Sequence, residues 1–173
     1  LDAIKLAALK GTVNNDSIIG FDSNDVINGD KGNDQLTGGA GNDVYKYASD
    51  DGDDVITDTS GIDRLEFSAG ILSSQIKASR NGNNLLLTIV TGGSLTVTNA
   101  FDAAGNFTAN TLESILFNDN SVWDSVRIRN EALKTNDLIV VGTDGGDSLY
   151  GGNDNDTLIG GKGLDGLHGG YGN

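Results

Sequence analysis

A nine-residue period constrains this chain more than any other feature. Cut every nine residues from Gly11, it reads GTVNNDSII, GFDSNDVIN, GDKGNDQLT and GGAGNDVYK. After a two-residue insertion, Tyr47 and Ala48, the frame resumes as SDDGDDVIT and DTSGIDRLE. Near the C-terminus it returns as GTDGGDSLY, GGNDNDTLI and GGKGLDGLH. The sixth position is aspartate in every copy: Asp16, Asp25, Asp34, Asp43, Asp54, Asp63, Asp147, Asp156 and Asp165. The eighth is large and apolar, as at Ile18, Ile27, Leu36 and Tyr45. A longer repeat overlies the short one. LDAI at 1–4 resembles WDSV at 123–126, and Asp25, Asp34 and Asp43 recur 122 residues on as Asp147, Asp156 and Asp165. With Leu1 in place of Met and GGYGN at the other end, the chain reads as one module and the start of a second, cut from a longer protein.

Glycine recurs at positions 1, 2 and 4, where a tight turn needs backbone conformations that side chains resist. Such a turn aims several carbonyl oxygens inward, and the sixth-position carboxylate adds charge. The three residues that follow make a short strand whose middle aliphatic enters a core. Two units then complete one turn of a flat coil, so loops eighteen residues apart stack. Hard oxygen ligands without Cys or His select calcium over zinc or copper. A phosphate-binding loop would need Lys-Ser/Thr after the glycines, which no copy has. Asn-Gly or Asp-Gly hairpins account for one turn but not for nine in phase.

Charge points the same way. The net charge of -14 disfavours nucleic acid and anionic membranes as partners and makes cations the natural ones. Runs such as NNLLLTIV argue against disorder as the outlet for that charge. The absence of Cys excludes disulfides and thiolate chemistry, and no apolar run is long enough for a transmembrane helix.

GGAGNDVYK (38–46) and GGKGLDGLH (160–168) resemble the GGxGxDxUx nonapeptide of the RTX, or repeats-in-toxin, haemolysin-type calcium-binding proteins. The resemblance implies an all-β fold, a parallel β-roll with several calcium ions between stacked loops, and type I secretion from a bacterium. It also implies a ligand rule. One loop offers carbonyls from positions 2 and 4, the next in its stack offers carbonyls from 1 and 3, and both offer the sixth-position aspartate. Thr12, Asn14 and Asp16 would then face Gly29, Lys31 and Asp34. Phe21, Ser23 and Asp25 would face Gly38, Ala40 and Asp43. Thr143, Gly145 and Asp147 would face Gly160, Lys162 and Asp165. Gly39 and Gly41, Asp54 and Asp63, and Gly151, Asn153 and Asp156 complete the set. Asn14, Ser23 and Asp154 replace the fourth-position glycine; Ser tolerates positive φ less well than Asn or Asp, so the second site departs most from the pattern. The insertion interrupts the spacing of the Asp34–Asp54 and Asp43–Asp63 pairs.

The expected organisation has four parts. Residues 1–10 (LDAIKLAAL) read as a short helix ending a preceding module, 11–66 as a first β-roll, 67–132 as a small β-rich cap, and 133–173 as a second, truncated roll. Within the cap, NNLLLTIV, GSLTVTNAF and LESILFNDNSVW read as strands, with NDN as a turn, and SVWDSVRIRNEAL as a short helix. This segment resembles the haemolysin-type calcium-binding-related domain that accompanies RTX repeats.

No catalytic constellation stands out. His168 falls at a solvent-facing ninth position with no second His or Cys, so a hydrolytic triad is unsupported. Asp102, Glu113 and Asp119 read as turn or surface residues, and without Pro there is no Asp-Pro bond for self-cleavage. No enzyme is expected. One aliphatic per repeat contributes roughly 2 kcal/mol of burial, against about 1–2 kcal/mol of backbone entropy for each residue ordered. Calcium binding therefore supplies folding energy. Extracellular calcium modules of the related kind bind at about 10⁻⁴ to 10⁻³ M, so folding waits for the exterior. Two functions fit: a calcium-gated module of a secreted toxin or adhesin, with neighbouring RTX modules and a host surface as partners, or the non-catalytic C-terminal tail of a secreted hydrolase (lipase or protease). The tandem 122-residue repeat favours the first.

Overall fold

The structure, a computed structural model, describes residues 7–68, 70–134, 139–152 and 156–170. They form two compact units, Leu1–Ala132 and Leu133–Asn173. The fold is all-β, with parallel strands coiling into a β-roll.

In the first unit, the strands of successive nonapeptides alternate between two sheets. One sheet takes β1 (Ala7–Lys10), β3 (Asp25–Asn28), β5 (Val44–Tyr47) and β7 (Arg64–Phe67), in parallel. The other takes β2 (Ser17–Ile19), β4 (Gln35–Thr37) and β6 (Asp53–Thr57). Partners lie eighteen residues apart, as in Ile18 with Leu36, until the insertion lengthens one turn. Leu36 then pairs with Ile56, and Tyr45 with Leu65. Inserted Tyr47 extends β5, packs edge-on against Phe67 and donates its phenol to the Gly52 carbonyl at 2.6 Å. The insertion is thus absorbed as one larger loop with the pairing intact. The eighth-position side chains Ile27, Leu36, Tyr45, Ile56 and Leu65 are all buried between the sheets.

The helix expected at 1–10 is not what residues 7–10 form. Residues 1–6 lie outside the described set, and Ala7–Lys10 is a strand paired with β3. Ala and Leu favour helix locally by only tenths of a kcal/mol per residue, which a parallel sheet partner outweighs. Leu9 sits opposite Ile27, so the nonapeptide register extends back into this segment.

The middle segment continues both sheets. After a short 3-10 turn (Ser73–Gln75), β8 (Ile76–Asn81), β9 (Asn84–Ile89) and β10 (Ser94–Val97) run antiparallel to one another, and β10 lies parallel to β6. In the other sheet β11 (Ser114–Leu116) lies parallel to β7 and antiparallel to β12 (Val122–Asp124). Strands were expected across β9 to β12; β8 was not. The NDN turn closes as expected, with Asn120 at φ 61 and its N–H on the Phe117 carbonyl. Helix α1 (Ser125–Ala132) is capped by Asp124, whose carboxylate accepts the Arg127 N–H at 2.8 Å, and buries Ile128 and Ala132. Phe67 stacks on Phe117 at a centroid spacing of 5.4 Å and Phe117 meets Trp123 edge-on at 5.1 Å, tying the last repeat strand to the segment beyond it.

The second unit repeats the coil in miniature. β13 (Ile139–Val141) pairs with β15 (Thr157–Ile159), and β14 (Ser148–Gly152) with β16 (Gly166–Gly170), both in parallel and eighteen residues apart.

Candidate metal centre

Each nonapeptide turn is set by what its neighbour in the stack allows. The fourth-position glycines Gly32, Gly41, Gly52, Gly61 and Gly163 have φ of 130, 127, 107, 149 and 119. A Cβ at any of them would press into the backbone of the preceding loop: Asn14 and Ser23 beneath Gly32 and Gly41, then Gly32, Gly41 and Gly145. The glycine is thus required by close stacking on an earlier loop. Among the described residues, no earlier loop is stacked beneath loops 11–16 and 20–25. Asn14 and Ser23 accordingly do not adopt positive φ, and the conformational penalty expected at Ser23 does not arise. Asp154 and Asn153 lie outside the described residues.

Two ladders of side chains run up the loops. Fifth-position asparagines accept from the loop above: Asn15 from the Asn33 N–H at 2.9 Å, Asn24 from Asn42 at 2.8 Å, Asn33 from Asp53 at 3.0 Å and Asn42 from Ile62 at 2.9 Å. Sixth-position aspartates accept from the loop below. Asp34 Oδ1 takes the Asp16 N–H at 2.8 Å and Asp43 the Asp25 N–H at 2.9 Å. Across the insertion, Asp54 takes the Asp34 N–H at 2.9 Å and Asp63 the Asp43 N–H at 2.8 Å. In the second unit Asp165 takes the Asp147 N–H at 3.0 Å. The asparagine ladder was missed in the sequence, although its signal, Asn before Asp in four consecutive copies, is plain there.

The second carboxylate oxygen separates first loops from later ones. Asp16 Oδ2 accepts from the Thr12 N–H and hydroxyl, Asp147 Oδ2 does the same with Thr143, and Asp25 Oδ2 accepts the Phe21 N–H. In the later loops Asp34 Oδ2, Asp43 Oδ2 and Asp63 Oδ2 are buried without a partner, as is Asp25 Oδ1. Ionised carboxylates left this way are costly unless a cation joins them. Burial pushes Asp43 up to about 6 and Asp54 to about 7, against the pull of a backbone N–H on each and helped by neighbouring carboxylates. Asp34 and Asp63 are raised for the same first reason. This oxygen-only, strongly negative donor set suits a hard divalent cation. Calcium fits it.

Two acidic residues belong to the site that sequence reasoning placed elsewhere or missed. Glu113 is a half-buried member of the aspartate ladder: its Oε2 accepts the Asp63 N–H at 2.6 Å, and Ser114 pairs with Arg64 just as Arg64 pairs with Val44. The expectation of a plain surface residue is corrected, because β11 brings residue 113 level with 63. Asp58, at the first position of its repeat, is fully buried beside Asp43 and Asp63. Asp102 and Asp119 do lie in exposed turns, bonded to Asn106 and Ser121. His168 is exposed and stacks on Tyr150 at 4.7 Å. Among the described residues, no helix is long and apolar enough to cross a membrane.

Comparison with known proteins agrees with this geometry. Residues 9–45 and 139–173 match the RTX calcium-binding nonapeptide repeat, in 4 copies, and residues 84–127 match the haemolysin-type calcium binding protein related domain. No curated protein gives a significant match. The crystal structure of the extracellular lipase LipA from Serratia marcescens is similar over 91% of this chain, at 23% identity and a TM-score of 0.48. The chain spans 28% of the length of that lipase.

Proposed function

The chain belongs to the RTX haemolysin-type calcium-binding family, with a haemolysin-type calcium-binding-related domain between two repeat blocks, and from that premise we propose that it is a calcium-gated folding module of a large secreted toxin or adhesin. It binds several calcium ions. Between stacked loops the ligands would be the carbonyls of Thr12 and Asn14 with those of Gly29 and Lys31, joined by Asp16 and Asp34. Phe21, Ser23, Gly38 and Ala40 would serve Asp25 and Asp43 in the same way, and Gly39 and Gly41 would serve the Asp43–Asp63 pair. Thr143, Gly145, Gly160 and Lys162 would do so for Asp147 and Asp165. The parts read as a first roll (11–66), a cap (67–132) and a second roll (133–173).

The observation that carries this reading is the row of buried, partnerless carboxylate oxygens on Asp25, Asp34, Asp43 and Asp63. Without a cation they oppose one another across the stack; with one, each becomes a ligand. A folded state that alone binds the ion is stabilised in proportion to the ion available. At cytosolic calcium the module stays loose and exportable through a type I system, and outside the cell it closes. It does no chemistry of its own in this reading. The alternative, a non-catalytic module of a secreted hydrolase, uses the same calcium switch, and its test is catalysis carried by a neighbouring region of the parent protein.

Circular dichroism of the chain in EDTA should lose most strand signal and recover it cooperatively as calcium reaches the sub-millimolar to millimolar range. Equal magnesium should do little, because its tight octahedral shell gives up water reluctantly. A chelated sample that keeps its full strand signal would refute the switch.

A further inference from the structure

One turn of the stack differs from the rest. The repeat opening at residue 58 carries Asp where the loops stacked beneath it carry Gly20 and Gly38. The Asp58 side chain is fully buried, and one oxygen from each of Asp43, Asp58 and Asp63 lies within 4.8 Å of the other two. That spacing lets three carboxylates share one cation.

The remaining contacts arrange Asp58 for the task. Its Oδ1 accepts the N–H groups of Thr59 at 2.6 Å and Ser60 at 3.2 Å, which fixes the carboxylate plane. Its Oδ2 accepts the phenol of Tyr45, whose position holds an aliphatic in Ile27 and Leu65 of the same sheet. Gly38 makes room: a Cβ there would run into Tyr45 Oη, Asp43 Oδ2 and Asp58 Oδ2 together. Three groups thus converge where that glycine lacks a side chain. Asp43 Oδ2, one of the three, is buried and without a partner, and so is Oδ2 of Asp63, the third aspartate of the cluster. A carboxylate has about four acceptor sites, so Asp58 can hold its present donors and still ligate an ion.

We propose that Asp58 is a direct cation ligand, making the Asp43–Asp58–Asp63 turn a three-carboxylate site that binds calcium more tightly than the two-carboxylate turns and takes a trivalent lanthanide in preference to them. This rests on the calcium reading given above and adds a ligand, a rank order and a charge selectivity to it. Ligand charge is one of the main determinants of calcium affinity in oxygen sites. Tyr45 acts here as a positioning residue that orients Asp58 through its hydrogen bond.

Tyr45 also gives the site its own signal. Terbium bound beside it emits when tyrosine is excited, so terbium alone is the probe, titrated into the intact chain. The first equivalent should bind tightest and show tyrosine-sensitised emission, and Tyr45→Phe should dim that emission and, with Asp58 no longer held by the phenol, weaken the first calcium. Asp58→Gly restores the residue that Gly20 and Gly38 occupy, so the turn should still fold. It should lose the tightest class of site, weakening the first calcium by about tenfold or more, and lose the preference for terbium. Asp58→Asn, which keeps the shape and the backbone contacts, should do the same. An unchanged calcium isotherm in a folded Asp58→Gly or Asp58→Asn variant would overturn this inference and leave the family-level reading standing. Failure of the wild-type chain to take up calcium would overturn both.

Discussion

In the first repeat block Asp25, Asp34, Asp43, Asp54 and Asp63 are at most 2% exposed, whereas Asp147 and Asp165 of the second, at the same place in the same nonapeptide, stay half-buried. The apolar positions divide less sharply: Leu65 is fully buried and Leu167 is 50% exposed, but Leu149 of the second block is 9% exposed. Local sequence dictates the turn in both blocks, since Thr12–Asp16 and Thr143–Asp147 make identical hydrogen bonds. Burial comes from depth of stacking. Asp43 has Asp25 below and Asp63 above, and Asp63 in turn has Glu113, while Asp165 pairs with Asp147 alone among the described residues. The first stack also continues into β10 and β11, which bring Leu95, Val97 and Ile115 to its open end. Calcium affinity and cooperativity should follow burial.

The largest expected effect separates the blocks directly. The only Trp, Trp123, reports on the first unit, and the only His, His168, on the second. Asp34→Ala removes a carboxylate from two successive loops and leaves the part-buried Asp16 N–H without its acceptor, a loss of up to about 1–3 kcal/mol before any ion is counted. It should raise the calcium midpoint read by Trp123 fluorescence by about tenfold or more, since about 1.4 kcal/mol is a factor of ten. The midpoint read from the His168 ring protons by NMR should stay where it was. Asp165→Ala should move only the His168 midpoint, and by less, because its loop has one neighbour among the described residues. Identical shifts in both reporters would show one cooperative unit and erase the contrast.

How much of this was legible in the sequence depends on distance along the chain. The period gave the strands, the eighth-position core residues and the stacking of Asp16 on Asp34, because each is fixed within eighteen residues. Asp58 was visible as a departure from glycine but not as a buried group, since burial required Tyr45 to reach it from thirteen residues back. Glu113 carried no signal: it lies fifty residues beyond Asp63, outside any repeat, and only the β7–β11 pairing brings it level. Ala7–Lys10 misled in the other direction. Its composition favours a helix, and the partner that overrides it, β3, begins fifteen residues later.

A second effect sharpens the contrast through pH. In the metal-free first block Asp43 and Asp54 are held near 6 and 7, against an ordinary 3.8, chiefly by burial. A carboxyl raised by folding stabilises the folded form fully below its unfolded value and loses that contribution as pH rises through its folded value. The chelated first unit, largely unfolded near neutral pH, should therefore be driven toward the folded form as pH falls from about 7.5 toward 4, seen as strand signal that returns without calcium. Calcium must displace those protons, so its midpoint should climb as pH drops below about 7. A metal-free strand signal flat across that window would mean that water or loosened loops keep these carboxylates solvated.

The smallest expected effect tests where the first stack's extra burial begins. Glu113 takes the place of the next aspartate above Asp63, and burial raises its pKa while the Asp63 N–H pulls it down. Gln at 113 keeps an oxygen to accept that N–H and gives up only the charge, which is half-buried and partly screened. Glu113→Gln should shift the Trp123 calcium midpoint by no more than about threefold, the scale of well under 1.4 kcal/mol. Glu113→Ala abandons the Asp63 N–H and should shift it further in the same direction. Were the two variants equal and both large, the charge would be the operative feature, and Glu113 would count as a ligand of a further ion above Asp63. A small Gln effect beside a larger Ala effect fixes it instead as the hydrogen-bonding lid that closes the aspartate ladder, which the second block, among its described residues, does not have.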